Sequence, residues 1–418
     1  MQLPRMAKVK QRFSGPAVEN IEQTVFEQLN SLNLAVQPGT RIAVTGGSRG
    51  INNIALILRS VIRWLRQQEA QPFIVPAMGS HGGATAEGQV AILAGLGVTE
   101  EYVEAPILSC MDVVKIGDTA AGHSVWMDKH CADADGVILV NRIKLHTDFR
   151  SDQGIESGLT KMAAIGMGKH QQAKEIHSQG VAGLEEVMPE IGRAVIESGH
   201  VLAGLAIIEN AWEETAAIEA VVPPDIIAKD AELLAKSRDM MPKLPVEQLD
   251  ILVVDALGKD YSGTGLDTNI IGRMRILGQP EPETPDIQYI IVSDVSPASK
   301  GNALGVGLAD LTTRRLFDKI NFQAMNENIS TSTFLHRGMI PLVMENTKAC
   351  VELALRCSWG VKPAEARIMR IPNTLHLDIL EVSETLLPEL QRRDDIEILE
   401  EPRGWSFDPS GYLLPLEE

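Results

Sequence analysis

From residue 41 onward, short apolar runs alternate with longer stretches whose apolar residues recur at three- and four-residue intervals. RIAVTG (41–46) is followed by NIALILRSVIRWLRQQ (53–68), QPFIVPAMGS (71–80) by EGQVAILAGLG (87–97), and DGVILVN (135–141) closes the series. Runs of strand length joined by stretches of helix length predict a parallel sheet with crossover helices. Residues 181–203 return to helical spacing, and the segment 221–245 ends in prolines that punctuate it as a linker. DILVVDALG (250–258), YIIVSDV (289–295) and IPLVME (340–345) then restart the pattern. The expected fold is two α/β domains with mostly parallel sheets and an active-site cleft between them: residues 1–245 for cofactor binding and catalysis, 246–394 for closing on substrate.

A chain of 418 residues exceeds what one hydrophobic core normally supports, and its 44% apolar content is that of a folded globular protein. Asp and Glu outnumber Lys and Arg by 56 to 38. The resulting charge of -18 repels a nucleic-acid backbone and an anionic membrane surface, so neither is an expected partner. The four cysteines form no CxxC pair, which argues against a zinc ribbon, a thioredoxin-type site or a disulfide framework and suits a reducing cytoplasm. With neither a signal-peptide core nor a membrane-length apolar run, the expected localisation is cytoplasmic.

Two glycine loops follow strand-like runs. VTGGSRGI (44–51) resembles the TGxxxGxG loop of short-chain dehydrogenases, but Asn52 stands where the final glycine belongs and no tyrosine begins a Tyr-x-x-x-Lys. That family is rejected. What survives is either an anion-binding loop, with Thr45, Gly47, Ser48 and Arg49 around a phosphate, or a tight turn that needs glycine for backbone reasons. AMGSHGGAT (77–85) sets His81 between glycines, at the sheet edge where open α/β folds bind ligands. It is either solvated there or open to close approach by substrate.

The densest chemistry lies between Asn141 and Gly180, a stretch with three of the nine histidines. His146 follows the run VILVN at the same expected edge as His81, and two histidines in one cleft can exchange protons near neutral pH. His170 and His177 are seven apart on a plausible helix, about 10 Å along its axis, so one metal cannot bind both. Neither HExxH nor a compact ligand triad appears. Lys161, in SGLTKMAAIG, is set among apolar and small residues, as either a nucleophile activated by partial burial or a lysine whose stem lies along a helix end.

Taken in order, these segments resemble the nickel-pincer-nucleotide lactate racemase family. SGLTKMAAIG resembles its Ser-Gly-x-x-Lys tether, VTGGSR its phosphate loop, MGSH its Gly-x-His loop and KLH its Lys-Pro-His. The resemblance implies a nickel-pincer nucleotide (pyridinium-3-thioamide-5-thiocarboxylic acid mononucleotide carrying Ni) bound covalently through Lys161. It further implies that His177 is the one protein ligand to nickel, that Arg49 and its loop hold the phosphate, and that His81 and His146 alternate as base and acid. The implied reaction inverts C2 of a 2-hydroxy acid: hydride leaves for the cofactor and returns to the opposite face of the keto acid. Cofactor-biosynthesis proteins are the implied partners, and by the same analogy the chain from about 395 packs back on the first domain.

The chain departs from that family at Gly46, usually Asp; at Ser48, Arg49 and Gly50, usually Thr-Arg-Pro; and at Leu145, usually Pro. The gap between His146 and Lys161 is also longer. These changes favour a larger polar substrate, such as a sugar acid, with Asp148 and Glu156 available to extra hydroxyls. In the second domain, glycine-rich loops at 258–273 and 296–310 place Arg273 and Lys300 as candidate contacts for a substrate carboxylate, or serve as plain turns. Two competing readings remain: a non-catalytic relative that binds a sugar acid or nucleotide, and a nickel-independent lyase or isomerase using the histidines.

Overall fold

The computed structural model describes residues 2–48 and 50–416. They form two compact units, one of residues 14–241 and one of residues 1–13 with 242–418. The chain begins in the second of these with β1 (Met6–Gln11) and returns to it after Met241.

The 14–241 unit starts with α1 (Ile21–Ser31), capped by the Asn20 side chain accepting from the Gln23 N–H. Then come β2 (Arg41–Gly46), α2 (Ile54–Gln67), β3 (Gln71–Pro76), α3 (Ala86–Gly95), a hairpin of β4 (Val113–Asp118) and β5 (Ser124–Asp128), and β6 (Gly136–Arg142). A short helical turn (Leu159–Lys161) leads through a π-helical turn (Met162–Gly166) to α4 (Lys169–His177). The unit ends with α5 (Met188–Glu197), β7 (Val201–Glu209), β8 (Thr215–Val221) and α6 (Ile226–Met240).

Its sheet has the order β3-β2-β6-β7-β8, parallel except for β8. α2 shows why the element forms. Ile54, Ile57, Leu58, Val61, Ile62 and Leu65 repeat at helical spacing, are all buried, and face the sheet residues Val44, Ile74 and Ile138 within one core. At about 2 kcal/mol per buried aliphatic side chain, that face outweighs the mediocre helix propensity of its β-branched residues.

The direction of winding fixes where a ligand can sit. From β2 the chain goes outward to β3, then returns across to β6 on the other side of β2, so the strand order reverses between β2 and β6. The loops after β2, β3 and β6 all leave from the carboxyl edge at that reversal, where open α/β sheets have room for a ligand.

The other unit is an eight-stranded sheet ordered β12-β11-β10-β9-β13-β14-β1-β15. β9 (Gln248–Leu257), β10 (Asp286–Val295), β11 (Leu311–Thr313), β12 (Leu342–Met344) and β13 (Ile368–Ile371) are parallel; β14 (Ile379–Ser383), β1 and β15 (Ile396–Arg403) extend it antiparallel. The sequence boundaries need two corrections here. Residues 1–13 lie with the later unit, because β1, buried at every position but Lys10, pairs with β14 on one side and β15 on the other. The segment from 395, expected against the first domain, pairs with β1 instead, so its backbone hydrogen bonds are satisfied in the later unit. The helical reading of 181–203 also runs too far: α5 stops at Glu197 and Val201 opens β7.

Candidate functional site at the carboxyl edge of the first sheet

The loop after β2 is built on close approach. A side-chain carbon at Gly47 would lie 3.4 Å from the Met162 methyl and 3.7 Å from Asn141 Oδ1, so this backbone packs onto the turn that follows Lys161. Ser48 hydrogen-bonds His81 Nδ1 through its hydroxyl. Thr45, expected at the phosphate, is fully buried in β2, and its hydroxyl oxygen accepts the Val140 N–H at 2.9 Å. It braces the β2–β6 junction from inside. Arg49 lies outside the described residues. Farther along, the Asn52 N–H donates to Glu209 at 2.6 Å, and the same carboxylate is ion-paired with Arg142, which ties the loop to the ends of β6 and β7.

His81 is exposed on a loop held rigidly from below. Gly79 N–H donates to Gly166 O at 3.2 Å, seating the loop on the π-helical turn. Gln89 Nε2, from α3, donates to Gly79 O at 2.9 Å and His81 O at 3.3 Å. Lys169 holds Gln89 in turn: its ammonium donates to Gln89 Oε1 at 2.9 Å, bonds Pro76 O, and pairs with Asp128 at 3.1 Å, all fully out of solvent. An unpaired charge would be costly at that depth, so three donor–acceptor contacts on one ammonium mark a fixed support. Neither Gln89 nor Asp128 carried a sequence signal, and Lys169 offered only its setting between Gly168 and His170.

His146 starts the insertion noted above. Lys144 and Ser157 pair across the base of that loop, and buried Glu156 accepts the N–H groups of His146 at 2.6 Å and Ser151 at 3.3 Å. Burial pushes the Glu156 pKa up, and the two N–H groups act against that. Arg150 donates to His146 O at 2.6 Å, and the buried Phe149 ring lies 4.7 Å from the imidazole. The Asp148 N–H donates to His146 Nδ1 at 3.1 Å, while Asp148 Oδ2 is 3.7 Å from the same nitrogen. On the other edge of the ring, Nε2 is 2.6 Å from Lys161 Nζ.

Lys161 ends a three-residue helical turn whose start is capped at a distance. Asp230, deeply buried on α6, accepts from Leu159 N at 3.0 Å and Thr160 N at 2.7 Å. A side chain at Gly158 would collide with that carboxylate at 2.7 Å, which is why glycine precedes the turn. Asn141 Nδ2 holds Gly158 O at 2.7 Å from the end of β6. Asp230 was missed because its segment read as linker.

His177 ends α4 as an exposed residue. The surrounding protein desolvates the imidazolium and lowers its pKa, which favours the neutral, ligand-ready form. Among the described residues, no group of three or more His, Cys, Asp and Glu is placed to hold a metal by itself. The two second-unit candidates differ. Lys300 is exposed in a left-handed turn after Ser299. Arg273 is committed to its own unit: it pairs with Asp310 at 2.6 Å and donates to the carbonyls of Leu308, Ile287 and Gln288, so it locks the loop and is not presented to a ligand.

The first unit thus gathers His81, His146, Lys161 and a glycine loop along one sheet edge, as α/β proteins that bind small ligands at a strand-order reversal do. Residues 7–186 match the family model of the lactate racemase N-terminal domain. Among solved structures, the lactate racemase apoprotein from Thermoanaerobacterium thermosaccharolyticum aligns at a TM-score of 0.55 and 12% identity, covering 87% of this chain and 94% of that one, which establishes a shared fold. None of the curated proteins matches the chain significantly. Among the described residues, no helix is long and apolar enough to cross a membrane.

Proposed function

We propose that this protein is a cytoplasmic racemase or epimerase that inverts C2 of a 2-hydroxy acid, a sugar acid in preference to lactate, with a nickel-pincer nucleotide tethered to Lys161. The observation that carries the reading is the contact of Lys161 Nζ with the His146 ring at 2.6 Å, on a turn against which the Gly47 loop packs. It sets an attachment amine, a proton-transfer group and a phosphate-type loop side by side.

The residues fit the group. Lys161 is half-buried with its amine beside a titratable partner, the Gly47 backbone has no side chain to obstruct a phosphate, and His177 is held toward its neutral form. A metal at His177 would draw its other donors from what binds with it, as a carrier with its own carbon and sulfur donors supplies. When bound, the nucleotide supplies a reversible hydride acceptor.

The chain's part is proton transfer and placement. Inversion needs a proton acceptor for the substrate hydroxyl on either face of the carbinol carbon, and His81 and His146, delivered by different strand ends, are assigned that work. Ser48 fixes one edge of the His81 ring and the Asp148 N–H fixes one edge of His146, so each ring has a set orientation. The polar insertion 147–156 lies beside His146 and offers Asp148 to a substrate hydroxyl. Lys300 remains a candidate for the substrate carboxylate. The test is interconversion of C2 epimers of short hydroxy acids and aldonic acids by protein made with the cofactor-biosynthesis enzymes. Turnover by metal-free, adduct-free protein, or binding without interconversion, would overturn it.

A further inference from the structure

The eight-stranded sheet of the later unit ends in two unlike edges. β15 carries Glu397, Glu400, Glu401, Pro402 and Arg403, the charges and proline with which natural sheets turn away further strands. β12, at the opposite edge, carries neither. It closes the run FLHRGMIPLVM (334–344), in which Leu335, Met339, Ile340 and Leu342 are 67%, 56%, 36% and 65% exposed. Large apolar side chains bared this close together make a strip of the few hundred Å² at which exposed patches mark protein contacts. The strip rests on α7 (Phe322–Ser332), where Ile329 fills the space a side chain at Gly338 would take. Gln323, Asn326 and Ser330 of α7 are exposed and uncharged.

The backbone of the edge is open in a particular way. β12 pairs in parallel with β11, and the Leu342 N–H donates inward to Asp310 O at 3.1 Å. Successive residues of a strand turn their N–H and C=O groups to opposite sides, so Leu342 and Met344 face β11 and Val343 faces outward. Both outward groups of Val343 are without a partner among the described residues. One donor and one acceptor on one residue are what an antiparallel pair exchanges between two opposed residues. Pro341, the next residue on that side, has no N–H, so a longer added strand finds no donor there.

We propose that this edge joins two copies of the chain about a two-fold axis, with Val343 of one copy opposite Val343 of the other and the apolar strips packed around them. Charge favours a second copy at this place. A chain of net charge -18 repels its own kind, so two copies can meet only where neither is charged. Between Lys319 and Glu345 the only acidic or basic residues besides His336 are Glu327 and Arg337, and Arg337 is buried. In the proposed register Glu345 lies opposite Pro341, which sets the two Glu345 residues roughly 13 Å apart along the strands, beyond the ~8 Å Debye length at physiological salt. A standard interface takes about 800 Å² from each partner, more than half of it apolar. The strip supplies the apolar centre and α7 the polar rim. The pairing is independent of the nickel-pincer reading, which its failure leaves untouched.

Sedimentation velocity of the full chain, from about 1 to about 100 µM, tests the association. A reversible dimer with a dissociation constant of micromolar order is expected, tighter at high salt because screening removes the repulsion of two acidic copies. Leu342→Lys should weaken it by roughly 30-fold or more, since the change enters the interface twice. Met339→Glu should do the same should the lysine variant fail to fold. Leu399→Lys, on the charged β15 edge, should leave it unchanged. The register is read with Val343→Cys. Opposed residues of an exchanging pair have Cα atoms about 5.5 Å apart, within disulfide reach. Diamide, which takes up the two thiol hydrogens as it is reduced, should therefore join the copies through a 343-to-343 peptide seen by mass spectrometry. A chain that stays single to about 100 µM overturns the pairing and leaves the edge to a strand of another protein. A dimer that survives both Leu342→Lys and Met339→Glu, or that Leu399→Lys weakens equally, overturns it as well.

Discussion

At the scale of single residues, the candidate site consists of groups the sequence named and groups it concealed. His81, His146, Lys161 and His177 were legible because loop histidines and a lysine among small residues are uncommon settings with recognisable spacing. Asp230, Gln89 and Asp128 were not, because they act from other segments and resemble ordinary helix or strand-end polar residues. Thr45 and Arg273 show the reverse error. A hydroxyl and a guanidinium beside glycine loops suggest a ligand, yet both are used up inside the protein. In the loaded enzyme, His81→Gln should lower inversion by about 10²- to 10⁴-fold, the usual worth of one acid–base group, while the Lys161 adduct remains on the peptide. Retained turnover in an epimer assay would remove His81 from the mechanism. Asp230→Ala removes the acceptor of two buried N–H groups and should cost about 2–4 kcal/mol, seen as a drop in the thermal midpoint.

Asp230 also makes a signed pH prediction. Burial raises its folded-state pKa above the unfolded value of about 3.9, so the folded chain binds that proton more tightly than the unfolded chain does. The stability it contributes is complete below the unfolded pKa and declines as pH rises toward the folded value. The advantage of the native chain over Asp230→Asn, taken from thermal unfolding, should therefore be larger near pH 4 than near pH 7. An advantage that grows with pH would contradict the burial of this carboxylate.

Among elements, the first sheet and its helices were legible from periodicity, since apolar runs of strand length and the i, i+3, i+4 repeat of α2 each admit one regular structure. The supports beneath the loops were not, because they join elements far apart in the chain. Lys169 stands at the start of α4 and links α3, β5 and the end of β3 through Gln89, Asp128 and Pro76. Lys169→Met leaves Asp128 buried without its cation and should destabilise the 14–241 unit by about 3–5 kcal/mol, measured by chemical denaturation. A change within the scatter of surface substitutions would show that the network carries no such load.

For the whole molecule, the sequence foretold two α/β units and misjudged how the chain is shared between them. Local patterning cannot tell which of two sheets a short terminal strand will join, since both β1 and β15 would satisfy their hydrogen bonds at any open edge. β1 runs between β14 and β15, so deleting residues 1–13 strips a partner from both. Limited proteolysis of that truncation should release fragments from 242–418 first and leave 14–241 resistant.

The claim at the centre is that Lys161 carries a nickel-bearing nucleotide. The measurement that bears on it most directly is mass spectrometry of the Lys161 peptide, with nickel analysis, on full chain produced alongside the cofactor's biosynthetic enzymes. A mass increment confined to Lys161, about one nickel per modified chain, and loss of that nickel in His177→Ala is the result expected. An unmodified Lys161 peptide and nickel-free protein from cells that load a known lactate racemase would contradict it.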